Sequence, residues 1–250
     1  MPGSHPHNGK GSDRTAPEHR HPAGGGHLDA HTGTHPHQHS HEHGHAHDRG
    51  PAGATRYLRL LRHMWRSDVS AAVVARIAPR PGERVVDIGA GMGPAAVLAA
   101  RCGARVIALD PTPFMRRVIG LRRWMQSARR CISVADGSAE SMPLADGSVD
   151  AAWTVNTIHH WTDLDRALSE IHRVLRPGGR VVLVDEDFDH PSHPAHARVQ
   201  AARAQHAHHF AVVDPVDIAA RFARLGFAPI TGGREQIAGR PCKVVHGLKR

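Results

Sequence analysis

Residues 85–93 read VVDIGAGMG, an apolar run that ends in three glycines spaced two apart. Val85, Val86 and Ile88 fit a strand buried on both faces, and Gly89, Gly91 and Gly93 permit backbone conformations and close ligand approach that a Cβ would block. A strand feeding such a loop and then a helix is the shape of a nucleotide-cofactor site. Asp87 bears on the ligand's charge. A dinucleotide places its anionic pyrophosphate at the helix N-terminus, where a carboxylate two residues before the first glycine would repel it, so a ligand carrying a cation suits this loop better.

Because Gly91-Met92-Gly93-Pro94-Ala95-Ala96 also satisfies a G-x-G-x-x-A pattern, the glycines alone do not decide, and the spacing downstream must. A helical stretch, 94–101, precedes RVIALD (105–110), a second apolar strand ending in Asp110 where a ribose-binding acid belongs. CISVAD (131–136) gives a third strand ending in Asp136, and AAWTVN (151–156) a fourth. Residues 158–179 form a connecting helix and its exit, with Leu164, Leu168, Ile171 and Leu175 at helical spacing and Pro177-Gly178-Gly179 as its stop. RVVLVDE (180–186) is the fifth strand, and 227–239 and 241–248 are two closing strands turning around Gly239-Arg240-Pro241. Alternating strands and helices of this kind make a parallel sheet.

Together these segments resemble class I S-adenosylmethionine-dependent methyltransferases of the small-molecule type that includes quinone C-methyltransferases. The resemblance is strong over 81–186 and positional over 55–80 and 187–250. It implies a Rossmann-like α/β fold, with a seven-stranded, mostly parallel sheet, an antiparallel edge hairpin and helices on both faces. It also implies an enzyme that moves a methyl group from S-adenosyl-L-methionine to a small organic acceptor. The implied cofactor residues are Asp87, Gly89, Gly91, Gly93, Asp110, Pro111, Asp136, Gly137 and Asn156, with Asp110 on the ribose and Asp136 and Gly137 on the adenine. A sulfonium is already an activated donor, so the protein has to align the acceptor and, for an O- or C-acceptor, assist its deprotonation. His159 and His160, after the fourth strand, are the candidates for that catalytic task and equally for walls of the crevice. Asp185, Glu186 and Asp187 are weaker candidates.

Two other functions stay in view. A nicotinamide-dependent oxidoreductase would use the glycines and Asp110 but leaves Asp87 and Asp136 without roles. A metal-binding or metal-delivery protein on the same fold would explain the histidines. Within methyltransferases, Asn156-Thr157-Ile158-His159 departs from the Pro-Pro-aromatic motif of exocyclic base methylation. Pyrimidine C5 chemistry needs a cysteine nucleophile after strand four or five, where neither Cys102 nor Cys131 sits, and arsenic methylation relies on several cysteines near the active site.

The 250 residues divide unevenly. Residues 1–54 hold almost no apolar side chains and are expected to be a disordered tail, leaving 55–250 as one domain with an N-terminal helical lid (55–80), a cofactor core (81–186) and a substrate-side insertion with closing strands (187–250). The tail carries thirteen of the 24 histidines. His35, His37, His39, His41, His43, His45 and His47 alternate with other residues, so an extended chain could gather them around Zn²⁺, Ni²⁺ or Cu²⁺. The net charge of +9 lies outside the tail, which has four basic against five acidic residues and leaves +10 for the remainder. Arginine-rich runs at 116–130 and 56–66 read as solvated helix faces, and nucleic acid is not an expected partner. Cys102, Cys131 and Cys242 lack metal or disulfide spacing and are expected as buried fillers. With no signal-peptide pattern and no membrane-length apolar run, the expected location is the cytoplasm, with no membrane partner.

Overall fold

The computed structural model describes residue 65 and residues 67–205 and 214–250. The tail, including His35–His47, the segments 55–64 and 206–213, and residue 66 lie outside the described residues. In chain order the elements are α1 (Asp68–Ile77), β1 (Arg84–Ile88), α2 (Pro94–Arg101), β2 (Arg105–Leu109), α3 (Pro113–Trp124), β3 (Ile132–Ala135), β4 (Val149–Val155), α4 (Leu164–Val174), β5 (Leu175–Glu186), α5 (His196–Gln205), α6 (Pro215–Arg224), β6 (Phe227–Ile237) and β7 (Arg240–Lys249). The sheet has seven strands in the order β3-β2-β1-β4-β5-β7-β6. Strands β1 to β5 pair in parallel, and the β6–β7 hairpin joins β5 antiparallel.

The central strands β1, β2 and β4 and the C-terminal half of β5 are buried on both faces, which explains why they read as continuous apolar runs instead of alternating ones. On one face Val85, Val106 and Trp153 pack with Val73, Ile77, Ala96 and Ile119 from α1, α2 and α3. On the other, Val86, Ile88 and Leu183 pack with Leu168 and Ile171 of α4 and with Ile218 and Phe222 of α6. The rings of Phe222 and Phe227 lie 4.5 Å apart and fully buried, so truncating either to alanine costs roughly 3–5 kcal/mol. Helix starts follow local chemistry. Ser67 and Asp163 accept backbone N–H bonds from Ser70 and Arg166 at the heads of α1 and α4, and Asp214 does the same for α6.

Several expectations are corrected. Helix α4 ends at Val174, three residues before Pro177, because Leu175 already pairs with Val149 and the register shifts across Arg176–Gly179 before regular pairing resumes at Ala151↔Arg180. The hairpin turns on Ala238-Gly239, both at positive φ (51° and 73°), with Ile237 facing Arg240. Of the segment 55–80 expected as a helical lid, the described helix spans residues 68–77, and there Val69, Val73, Val74 and Ile77 are all buried. Arg180 fixes this helix, donating to the carbonyls of Ile77 and Ala78 and pairing with Glu83 at 2.6 Å. Only Cys242 is a buried filler, its thiol pushed up to about 12 by burial; Cys102 is exposed and Cys131 intermediate.

Candidate functional site

The strand order reverses at β1 and β4, and the loops at their carboxyl ends therefore diverge and leave a crevice. Three of those loops carry most of the residues singled out in the sequence. Gly89, Gly91 and Gly93 all have positive φ (67°, 54° and 72°). A Cβ on Gly89 would lie 2.5 Å from Thr157 Cγ2, so that glycine is required for packing against the loop after β4. Gly91 differs: a Cβ there would meet nothing nearer than the Gly89 carbonyl oxygen at 4.0 Å. The backbone at Gly91 thus borders open space. Asp87 lies beneath the loop, 2 % exposed, facing Trp153 of β4 across the sheet. Its Oδ2 and the Trp153 indole nitrogen both lack a partner at hydrogen-bond distance. Burial pushes the Asp87 carboxyl up to about 7, against the pull of the nearby Trp153 indole and Ala96 amide and with the neighbouring Asp110 charge adding a little.

Asp110 closes the loop from the next strand. Its Oδ2 accepts from Gly91 N–H at 2.8 Å and its Oδ1 from Thr112 N–H at 2.9 Å. Burial raises its carboxyl above the usual carboxylate range, against the pull of those two amides. Asp136 is largely exposed and pairs with Arg116 at 2.8 Å. The same guanidinium donates to the carbonyls of Asp110 and Pro111, joining the ends of β2 and β3. Gly137 is enclosed: a Cβ would come within 2.8 Å of Leu109 and Pro143. Asp87, the glycines, Asp110, Pro111, Asp136 and Gly137 thus lie around one side of the crevice.

Asn156 borders the other side, at a φ of 57°. Its side chain is engaged with Glu186, donating to Oε1 at 2.8 Å and accepting from the Glu186 N–H at 2.7 Å. His159 and His160 stand apart in character. Asp185, itself buried, accepts backbone N–H bonds from Thr157, Ile158 and His159, and its Oδ2 lies 2.7 Å from His159 Nδ1. In the tautomer with the proton on Nδ1, Asp185 accepts the hydrogen bond from it and Nε2 is the basic nitrogen of the ring. His160 is exposed and its ring lies 4.1 Å from that of His159. Phe188 closes the wall edge-on to His159 at 6.4 Å.

Behind this wall, Glu186 accepts from His193 Nε2 at 2.9 Å and from Arg240 at 3.1 Å. Burial works to raise its carboxyl, but the bonds from His193 and Asn156 and the charge of Arg240 outweigh it and hold it below the usual range. Asp187 pairs with Lys243 and Arg234, each at 3.2 Å. The three consecutive acids therefore diverge in use: Asp185 orients the turn after β4, while Glu186 and Asp187 anchor the start of the insertion to the hairpin.

The sequence reading missed two arginines by treating 116–130 as a solvated face. Arg116 is the clamp just described. Arg122 is buried, donating to Met92 O in the glycine loop and to Trp65 O, with its guanidinium 4.3 Å from the Trp65 ring centroid. The available signal was its position three residues after Ile119, on the buried stripe of α3. Two concavities of about 250 and 470 Å³ lie elsewhere, one along Arg180, Val182 and His246 and one between α1 and α2. Among the described residues no cluster of three potential metal ligands occurs, His190, His193 and His196 included.

The geometry matches known proteins. Residues 86–183 match the family model of a methyltransferase domain. The ubiquinone/menaquinone biosynthesis C-methyltransferase UbiE of Rubrivivax gelatinosus is 39 % identical over 112 residues, 45 % of this chain and 43 % of the relative. The chain thus spans less than half the length of that curated relative. Among solved structures, the phosphoethanolamine N-methyltransferase 2 of Haemonchus contortus in complex with S-adenosyl-L-methionine superposes with a TM-score of 0.60 at 19 % identity, covering 73 % of this chain and 52 % of the other. The cyclase SpnF superposes at 0.56 and 16 % identity, covering 72 % and 80 %. The fold is therefore that of class I methyltransferases, and this fold also carries other chemistry.

Proposed function

We propose, from the premise that residues 86–183 form a methyltransferase domain of the class I fold, that this protein binds S-adenosyl-L-methionine and methylates a small organic acceptor. The observation that carries this reading is the pairing of open space at Gly91 with an unpartnered carboxylate oxygen on Asp87. A buried acid poised near neutrality favours a cationic ligand over a pyrophosphate, which disfavours the nicotinamide alternative. Asp87 and Gly89 to Gly93 would hold the amino-acid end of the cofactor, Asp110 and Pro111 the ribose, Asp136 and Gly137 the adenine, and Asn156 the crevice rim. When bound, the cofactor supplies an activated methyl group.

The chain's own residues then align the acceptor and manage its proton. His159, with Nδ1–H donated to Asp185, presents Nε2 as the base, and the buried Asp185 carboxylate stabilises the imidazolium that results. His160 and Phe188 wall the acceptor's side. A relative named as a ubiquinone/menaquinone C-methyltransferase and one named as a demethylmenaquinone methyltransferase fit this arrangement, because a phenolic or hydroquinone acceptor becomes a better nucleophile on losing a proton. A cytoplasmic location suits such a reaction and remains part of the proposal.

Calorimetric titration with S-adenosylhomocysteine and with NAD tests the cofactor. Binding of the first and not the second is expected, and the reverse would overturn the reading. For the base, His159→Ala is expected to lower turnover on any identified acceptor by about 10²–10⁴-fold, the range of a general base, with S-adenosylhomocysteine affinity near normal. A loss below about tenfold in both His159→Ala and the His159→Ala/His160→Ala double variant would leave these residues as walls.

A further inference from the structure

Helix α3 is built inside out. Its buried face carries Ile119 and the arginine Arg122, whereas Phe114, Leu121 and Trp124, together with Met125 just beyond, are 55, 65, 76 and 56 % exposed. At 100° per residue these four and the exposed Arg117 fall on a single outward stripe. Apolar side chains of this size, contiguous on one helix, are a contact surface rather than scatter.

The charge around the stripe identifies what it contacts. From Pro111 to Ala135 the chain has six arginines and no aspartate or glutamate; Arg122 is buried and Arg116 is paired with Asp136, which leaves Arg117, Arg123, Arg129 and Arg130 to charge the surroundings of the stripe. A second copy of the same face would bring like charges together. The segment 49–67 is no better suited, since it holds Arg49, Arg56, Arg59, Arg62 and Arg66 and no acid. The partner must be anionic and must also offer an apolar phase. A nucleic acid would satisfy the arginines and stack on Trp124 or Phe114 but would give Leu121 and Met125 nothing. An anionic lipid surface satisfies all of them: a helix lying in the interface buries its apolar face among acyl chains while arginines meet the headgroups.

We propose that α3 is a docking surface for anionic membrane. No helix among the described residues is long and apolar enough to cross a membrane, so the contact is one of lying on the surface. It goes beyond the proposed methyl transfer and replaces the expectation that a membrane is no partner. Since Arg116 and Pro111 at the head of α3 border the crevice, docking would bring the crevice mouth near the lipid.

Vesicle co-sedimentation of the full chain tests this, with phosphatidylcholine vesicles that contain or lack phosphatidylglycerol. Binding is expected only with phosphatidylglycerol, and it should weaken as salt rises. The Leu121→Glu/Trp124→Glu variant, altered only at exposed positions, is expected to lose at least about tenfold in partitioning while keeping its thermal midpoint and its S-adenosylhomocysteine affinity. Unchanged partitioning of that variant overturns the proposal and assigns lipid affinity to other basic segments. Absence of binding overturns it outright. Light scattering that shows a parent dimer split by the variant would give the face to a second copy, and a variant-sensitive oligonucleotide complex without vesicle binding would give it to nucleic acid. None of these readouts requires methyl transfer, so failure of the enzymatic proposal is seen separately.

Discussion

Asp87 couples proton binding to both folding and ligand. Its carboxyl is raised from 3.8 to about 7 by burial, so ionising it costs more in the folded state than in the unfolded one. That cost is absent below the unfolded value, grows as pH rises from about 4 to 7 and is complete above 7. Asp87→Asn is therefore expected to be more stable than the parent at pH above 7, by about 2–4 kcal/mol, and equal to it in acid; urea titrations across pH measure this. A cationic ligand reverses the penalty, so cofactor binding should tighten as pH rises toward 7 and release a proton there. Calorimetry in buffers of different ionisation enthalpy reads that proton, and zero release would remove Asp87 from the site. Gly91→Val should reduce S-adenosylhomocysteine affinity by at least about tenfold, since it fills the open space, with a smaller stability loss of about 1–2 kcal/mol from forcing a side chain into positive φ. Undiminished binding would displace the cofactor from this loop. The placement of Asp87, the glycines and Asp110 at the ends of β1 and β2 was legible in the sequence because it follows from local spacing along a strand. Asp185 was singled out only as a weaker candidate and its partners were not legible, because its bonds to Thr157, Ile158 and His159 join strand ends brought together only by β4–β5 pairing.

At the scale of elements, the legible features were those set by periodicity and the illegible ones those set by pairing. Helix α2 has the bounds its residues suggested, Pro94 to Arg101. The end of α4 was misplaced because proline and glycine mark where a helix must have stopped, whereas strand pairing of Leu175 with Val149 stopped it earlier. The hairpin turn shifted because Ala238 accepts a positive φ that its type does not advertise. The segment after β5 was expected as a substrate-side insertion, and the bonds that fasten it were not legible: His193 Nε2 meets Glu186 and its Nδ1 accepts from the Ala195 N–H. His193→Ala is expected to cost about 1.5–3 kcal/mol, the range for a hydrogen bond to a charged group. Hydrogen exchange should show the loss concentrated in residues 187–200, leaving β1 to β4 protected. Uniform loss across the sheet would show that the anchor serves the core instead.

The whole molecule contains two sequence regimes that physical properties should separate. Metal affinity is expected of the alternating imidazoles of 1–54, and cofactor affinity is proposed for the crevice between β1 and β4. Deletion of residues 1–54 is expected to abolish most tight Zn²⁺ or Ni²⁺ binding and leave S-adenosylhomocysteine affinity unchanged, both by calorimetry. Retained metal stoichiometry would move the site to the folded domain. The strand order has another consequence, for solubility. An open sheet leaves two lateral strands, here β3 and β6, whose outer backbone groups could template pairing with another chain. β3 is only four residues long and follows Arg129 and Arg130. β6 carries Pro229, a register shift between Phe227 and Ile230, and the charged Arg234 and Glu235. Each border thus ends the sheet before it can propagate, so replacing Pro229 and Arg234 by valine should convert a quiet border into a nucleus for aggregation.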